Sequence, residues 1–215
     1  FNSGNSGGCR PKCLLHDQDG SWLVKFRHNY DPEDMGVMEY RYNLTARKCN
    51  IQVADFKLLE GKYFASKRFD LKAGKRLHIA TAGALLNESI SQPKLDYKIL
   101  LHLTGFLTQD PKQVDEMFRR MVFNVLTDNK DDHAKNFSFI YENDRWILSP
   151  AYDLTLCSIG YHGERATSVN NNGTPTLDDM LTVGESIRIN RKKGMELFQT
   201  VYENCQEIIS KAWKG

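Results

Sequence analysis

The chain has 215 residues, 40% of them hydrophobic and 26% charged, with 29 basic against 27 acidic side chains and a net charge of +2. That is enough chain for a buried core in one domain or in two lobes sharing a cleft, and no apolar run reaches the length of a membrane-spanning helix. The balanced charge includes no basic tract of the kind that marks nucleic-acid binding, and five scattered cysteines, an odd number, fit a reduced, cytosolic chain.

The chain begins at Phe1 with neither Met nor a signal-peptide pattern, which fits a fragment or a chain whose N-terminal portion lies elsewhere. Asn2-Ser3-Gly4-Asn5-Ser6-Gly7-Gly8 reads as a small-residue, glycine-rich loop. Cys9 and Cys13 have a zinc-compatible spacing, but no second Cys/His pair follows at finger-like distance. Lys12 to His16 and Trp22 to Phe26 read as strands joined by an Asp-Gln-Asp-Gly turn. Lys25 interrupts the second strand, and the strand alone leaves it either snorkelling from an edge or pointing into a site that needs a cation. Asp34 to Arg47 reads as a helix, with Met35, Met38, Tyr42 and Ala46 near helical spacing and Glu39 as a candidate partner for Lys25. Phe56 to Leu59 and Tyr63 to Phe69 form another hairpin, turning at Glu60-Gly61-Lys62, so the stretch up to Asp70 makes a small mixed sheet with one helix.

Beyond Asp70 the pattern changes. Leu77 to Leu86 and Lys94 to Gly105 are moderately amphipathic, and Asp110-Pro111 starts a helix, with Asp as cap and Pro in the first turn. Val114, Met117, Phe118, Met121, Val122 and Val125 then form a stripe at helical spacing that packs in a core. Phe137 to Tyr141 and Arg145 to Leu148 flank Glu142-Asn143-Asp144 as a compact hairpin. Leu154 to Asn172 is polar and turn-rich. Two helices close the chain, near Leu177 to Val183 and Lys192 to Trp213, the second striped by Met195, Phe198, Tyr202, Cys205, Ile209 and Trp213. No internal repeat is visible.

The chemistry concentrates in Asp131-Asp132-His133-Ala134-Lys135-Asn136, with Asp153 seventeen residues further on. One carboxylate can orient or deprotonate an attacking hydroxyl, while an amide oxygen and a second carboxylate hold Mg²⁺ against nucleotide phosphates. The hairpin between Asn136 and Asp153 returns the chain to where it left, so both oxygen ligands fall at one end. Upstream, backbone N–H groups of the glycine-rich loop can cradle phosphates and the strand lysine can neutralise them. Taken alone, an Asp-Asp-His run is a solvated loop or a cap; in this context it points to phosphoryl transfer. An EF-hand over Asp128 to Asp132 fails, because Lys130 takes a ligand position and neither the glycine nor the terminal Glu appears. A two-histidine zinc site lacks its second histidine, which leaves His133 as an orienting or phosphate-facing group, or as a cap for the loop.

Thr127 through Phe139, followed by Leu148-Ser149-Pro150-Ala151-Tyr152-Asp153, resembles the kinase core of HipA-type bacterial toxins. So do Ser6-Gly7-Gly8-Cys9-Arg10-Pro11-Lys12, the Glu39-Tyr40 helix start and Ala65-Ser66-Lys67-Arg68-Phe69-Asp70. These blocks run in the family's order up to Asp153. The resemblance implies an α+β, two-lobed, protein-kinase-like fold: a small β-rich N-lobe over 1–70 with glycine-rich loop, lysine strand and hinge, and a mostly helical C-lobe over 71–215. It implies an ATP- and Mg-dependent serine/threonine protein kinase, the toxin of a toxin–antitoxin system, phosphorylating an aminoacyl-tRNA synthetase to inhibit translation.

By carry-over Asp131 is the catalytic base, Asn136 and Asp153 the Mg²⁺ ligands, and Lys25 the ATP-phosphate lysine. Lys135 faces the transferred phosphate with His133 beside it. Ser6, Gly7 and Gly8 belong to the ATP-binding loop, and Phe69 and Asp70 to the hinge near adenine and ribose. A helix-turn-helix antitoxin is the implied partner, with DNA contacted only indirectly. Three departures stand out. Asn5 lies close to where relatives carry an autophosphorylated loop serine, leaving Ser3 and Ser6 as candidates. Lys67 stands where the family often has an acidic hinge residue. The family's N-terminal subdomain does not precede the loop, as in the short HipT type, where it is a separate protein. A small-molecule or lipid kinase and a catalytically silent corepressor or binding module are the rival functions.

Overall fold

The computed structural model of the chain describes residues 10–88, 95–160 and 163–209. Ser3, Ser6, Gly7 and Gly8, with the rest of the expected glycine-rich loop and Cys9, lie outside the described residues, as do residues 210–213 of the expected last helix, which ends earlier, at Asn204.

Strand β1 (Lys12–Asp17) pairs with β2 (Gly20–Lys25), and β3 (Phe56–Leu59) with β4 (Tyr63–Lys67), in a four-stranded sheet of order β1-β2-β4-β3. Every pairing is antiparallel, which corrects the expectation of a mixed sheet. The reason lies in the connections: two tight hairpins, joined by an excursion through one helix that returns β4 beside β2 running the opposite way. Alternation then sorts the side chains. Leu23, Lys25, Phe64 and Ser66 line a cleft on one face, whereas Trp22, Val24 and Ala65 form a small satellite core on the other. No helix is needed to cover that outer face at Trp22, because the Lys57 ammonium lies 4.0 Å from its ring centre.

Helix α1 (Met35–Lys48) falls within a residue of its expected bounds. Asp34 makes no side-chain cap bond, so α1 is held by packing. Its two ends meet different neighbours. Gly36 approaches the β3–β4 turn so closely that a Cβ there would stand 2.0 Å from the Lys62 carbonyl oxygen. Further along, Tyr42, Ala46 and Cys49 sink into the main core, where Cys49 Sγ lies 3.6 Å from Cys205 Sγ.

A short hairpin, β5 (Leu71–Lys72) and β6 (Lys75–Arg76), leads to β7 (His78–Thr81) and the single turn α2 (Ala82–Leu85). The amphipathic stretch Leu77 to Leu86 thus divides into strand and turn. Its first half pairs with β8, and Thr81 Oγ1 then accepts from Ala84 N at 3.1 Å to start the turn. Helix α3 (Tyr97–Thr108) starts where Asp96 caps it, later than Lys94. Helix α4 (Pro111–Leu126) begins on the Asp110 cap and Pro111 as expected. All six residues of its predicted stripe are buried, each contributing about 1.5–3 kcal/mol of apolar burial. Strands β8 (Ser138–Glu142) and β9 (Arg145–Leu148) complete a sheet of order β7-β8-β9. Helix α5 (Leu177–Glu185) opens with a capping box between Thr176 and Asp179, and α6 (Arg191–Asn204) packs on α4 and α5. The architecture is α+β, and the cysteines among the described residues are free.

In a helix, Gly→Ala ordinarily adds about 1 kcal/mol of stability. At Gly36 the sign reverses, because the new methyl group meets backbone: Gly36→Ala should lose about 1–3 kcal/mol in urea denaturation, and an unchanged or raised midpoint would refute the close seating of α1.

Candidate active site

A cleft of about 440 Å³ opens between the inner face of the four-stranded sheet and the chain at Tyr152-Asp153. Lys25 is its charged centre. The side chain points inward from β2, which decides between snorkelling and a site, and its ammonium bridges the carboxylates of Glu39 on α1 and Asp153. Glu39 is 2% exposed and Lys25 10% exposed at the side chain. Burial alone would lower the lysine's pKa, but the two carboxylates overcome it and raise the pKa above its ordinary value. Burial pushes Glu39 upward beyond what Lys25 offsets. For Asp153 burial also pushes upward, yet Lys25 prevails and holds the carboxyl below its usual range. Asp153 itself sits at φ 53°, a left-handed conformation that Asp tolerates better than most residues.

The ledge carrying Asp153 is fixed by α4. Arg120, buried beside Glu116, donates to the Ser149 carbonyl at 2.8 Å, while Glu116 accepts from Gln52 N at 3.0 Å. Ala151 N then bonds Gln52 O at 2.7 Å. One ion pair thereby aligns the segment after α1 with the segment before Asp153.

Asp131 and Asp132, adjacent in sequence, have opposite fates. Asp132 is fully buried. Its carboxylate accepts from Tyr97 Oη at 2.9 Å, Arg165 at 3.0 Å and Thr167 N at 3.2 Å, and Arg165 also holds the Asn129 carbonyl at 2.8 Å. Asp131 is thereby turned outward, with 62% of its side chain exposed. Burial, and after it the charges of Asp153 and Asp132, raise its pKa against the pull of His133; water screens much of that push at so open a position.

His133 Nε2 lies 3.8 Å from Asp131, its Nδ1 is buried with no hydrogen-bond partner, and the ring makes no cap hydrogen bond, which removes the reading of His133 as a cap. The single turn Ala134–Asn136 follows, and there Asn136 donates its Nδ2 to the Asp131 carbonyl at 2.6 Å. Asn136 and Asp153 line one small crevice together with Asn129, whose Oδ1 is buried with no hydrogen-bond partner.

Lys135 extends into solvent, and its side chain lines neither cavity. Phe69 and Asp70 both line the large cleft. Phe69 stacks on Tyr152 with ring centres 5.7 Å apart, but Asp70 is already clasped by Arg68, which holds its carboxyl below the ordinary value. The Lys67 ammonium is directed to the outer face, 3.8 Å from Asp55 and 5.9 Å from the Trp22 ring centre. It therefore puts no charge into the cleft. Tyr152 was quoted in the sequence motif without a role, yet its hydroxyl donates to the Lys135 carbonyl at 2.6 Å, and burial pushes its pKa up to about 12.

The cluster can hold a small hard cation through oxygen. The buried, unpartnered Asn129 Oδ1 marks a place for one, with Asn136 and Asp153 as neighbours. Among the described residues no group of three His, Cys, Asp or Glu could hold a metal by itself.

Residues 4–212 match the family model described as the HipA-like C-terminal domain. Curated relatives include "Putative kinase Y4dM" of Sinorhizobium fredii, 31% identical over 173 residues, covering 70% of this chain and 41% of the relative. A "Putative kinase" of Haemophilus influenzae is 36% identical over 77 residues, covering 35% of this chain and 21% of the relative. The chain thus spans less than half the length of these relatives. Among solved structures, HipA of Shewanella oneidensis, determined with HipB and operator DNA, has a TM-score of 0.77 at 17% identity, covering 96% of this chain and 57% of that one. The proinflammatory kinase CtkA of Helicobacter pylori has a TM-score of 0.61 at 16% identity, covering 97% and 92% respectively. At these identities the likeness is one of fold.

Arg165→Met leaves the Asp132 carboxylate buried without its cation. The expected loss is about 3–5 kcal/mol in urea denaturation, with part of it recovered when Asp132→Asn is added. A near-neutral single variant would show that Asp132 does not depend on Arg165.

Proposed function

The chain belongs to the HipA-like C-terminal domain family, and from that membership and the arrangement around Lys25 we propose that it is an ATP- and magnesium-dependent kinase of protein serine or threonine. The observation that carries the reading is Lys25 held between Glu39 and Asp153 at the floor of a cleft, with the exposed Asp131 close enough to Asp153 for their charges to interact.

In the proposed reaction Lys25, kept cationic by its two carboxylates, donates to nucleotide phosphate oxygens. Phe69 and Tyr152 offer an aromatic wall for the base. Asn136 and Asp153 hold magnesium, which supplies charge neutralisation for the phosphates. Asp131 accepts the proton of the acceptor hydroxyl as its oxygen bonds to the γ-phosphorus and the bond to ADP breaks. His133 keeps Asp131 oriented. Residues 1–70 and 71–215 act as the two lobes, and Ser6, Gly7 and Gly8, outside the described residues, are assigned to ATP binding by the family resemblance.

The biological role we propose is that of a toxin in a HipA-type toxin–antitoxin pair, phosphorylating an aminoacyl-tRNA synthetase in the cytoplasm. It would be restrained by a helix-turn-helix antitoxin that makes the DNA contacts. One observation supports this: the HipA of similar fold was determined with HipB and operator DNA.

Incubation with labelled ATP, Mg²⁺ and a bacterial lysate should label protein on serine or threonine; label confined to lipid or small molecules would move the assignment to a different kinase class. Asp131→Asn should lower transfer by about 10²–10⁴-fold with folding intact, and wild-type turnover would falsify its role as base. Because Asp131 works as the carboxylate, the rate should climb with pH through its pKa, and burial moves that acidic limb upward from the ordinary Asp value.

A further inference from the structure

Tyr152 touches three parts of the site at once. Its ring stacks on Phe69 in the large cleft, its backbone immediately precedes Asp153, and its hydroxyl reaches the turn that carries Asn136. It also lines both the large cleft and the small crevice. The direction of the hydrogen bonds at that hydroxyl follows from chemistry. The Lys135 carbonyl, 2.6 Å away, can only accept, so it takes the single phenolic proton. Ser138 Oγ, 2.5 Å from the same oxygen, must then be the donor to Tyr152. The result is a one-way chain, Ser138 to Tyr152 to the Lys135 carbonyl. Its base is firm: Ser138 is 2% exposed, opens β8 opposite Thr81, and its carbonyl accepts from Ser149 N at 2.9 Å. Such chains strengthen by polarisation, each donor made better by the bond it accepts.

We propose that Tyr152 is a positioning residue whose hydroxyl, primed by Ser138, sets the Ala134–Asn136 turn so that Asn136 meets the metal. The proposal rests on the kinase reading above. The ring survives in Phe, whereas the hydroxyl serves the turn and does not. Nothing else among the described residues donates to the Lys135 carbonyl. Loss of the phenolic proton therefore leaves the turn carrying Asn136 with one fewer restraint, while Lys25, Glu39 and Asp153 keep theirs.

The test is calorimetric titration of ATP with and without Mg²⁺, together with steady-state ATP turnover, on wild type, Tyr152→Phe, Ser138→Ala and the double variant. Tyr152→Phe should bind metal-free ATP within about twofold of wild type. It should gain about five- to tenfold less affinity from added Mg²⁺ and lose about tenfold in kcat, the scale of one hydrogen bond. Ser138→Ala should shift the same quantities in the same direction by less, and the double variant should equal Tyr152→Phe, because Ser138 acts only through Tyr152. A Tyr152→Phe enzyme with an unaltered magnesium increment overturns the proposal, as do fully additive variants. Equal losses with and without Mg²⁺ also overturn it, since they place the effect of the hydroxyl on nucleotide binding and not on the metal. Wild type that binds no ATP overturns the kinase reading and this proposal with it; wild type that binds ATP while the variants match it overturns this proposal only.

Discussion

One ammonium shared by two carboxylates is the constraint around which the molecule is arranged. Lys25 comes from a strand, Glu39 from a helix and Asp153 from an irregular ledge far along the chain, and their attraction makes the burial of Lys25 and Glu39 tolerable. Such an ionic group is a poor source of net stability, because desolvation consumes most of the attraction. Its value is geometric. Moving Lys25 leaves Glu39 buried with its charge unmatched, and Lys25 reaches both carboxylates only when the sheet, α1 and the Asp153 ledge keep one relative placement.

Around that centre the chain uses two buried ion pairs in the same manner. Glu116 and Arg120, on one face of α4, reach the backbone at Gln52 and Ser149. Asp132 and Arg165 fasten the Asp131 segment to the polar stretch after Asp153. Both pairs also hydrogen-bond loop backbone, which has no ladder of its own to satisfy it. This accounts for how a turn-rich region, containing only isolated bridges between 150 and 172, can hold side chains in place.

The sequence was most legible where a local rule decided the outcome. The α4 stripe, the Asp110-Pro111 start and the β8–β9 hairpin follow from periodicity and turn chemistry, and that hairpin placed Asn136 and Asp153 in one crevice. Lys25 could not be resolved from its strand alone, because alternation fixes which residues share a face and not which face meets the cleft. The Asp131-Asp132 pair posed a harder problem. Two identical side chains in sequence acquire opposite roles through Arg165 and Tyr97, more than thirty residues away on either side, a long-range choice that no local pattern records. Lys67 looked like a change of charge in the hinge, but strand alternation turns its ammonium to the outer face. Tyr152 was visible as a letter in a motif; its partner, a backbone carbonyl, has no letter of its own.

Helix α1 is fastened at two ends to different bodies: its first turn lies against the Lys62 carbonyl, where only glycine fits, and its last lies in the main core beside α6. A beam clamped at both supports cannot pivot about either. Glu39, carried mid-span, therefore keeps a fixed distance from the sheet, and a shift large enough to release Lys25 has to be accompanied by sliding at the Cys49–Cys205 seat. The opposite bank, at Asp153 and the turn beside it, has no helix of its own and takes its placement from Arg120, Gln52 and the Tyr152 hydroxyl instead.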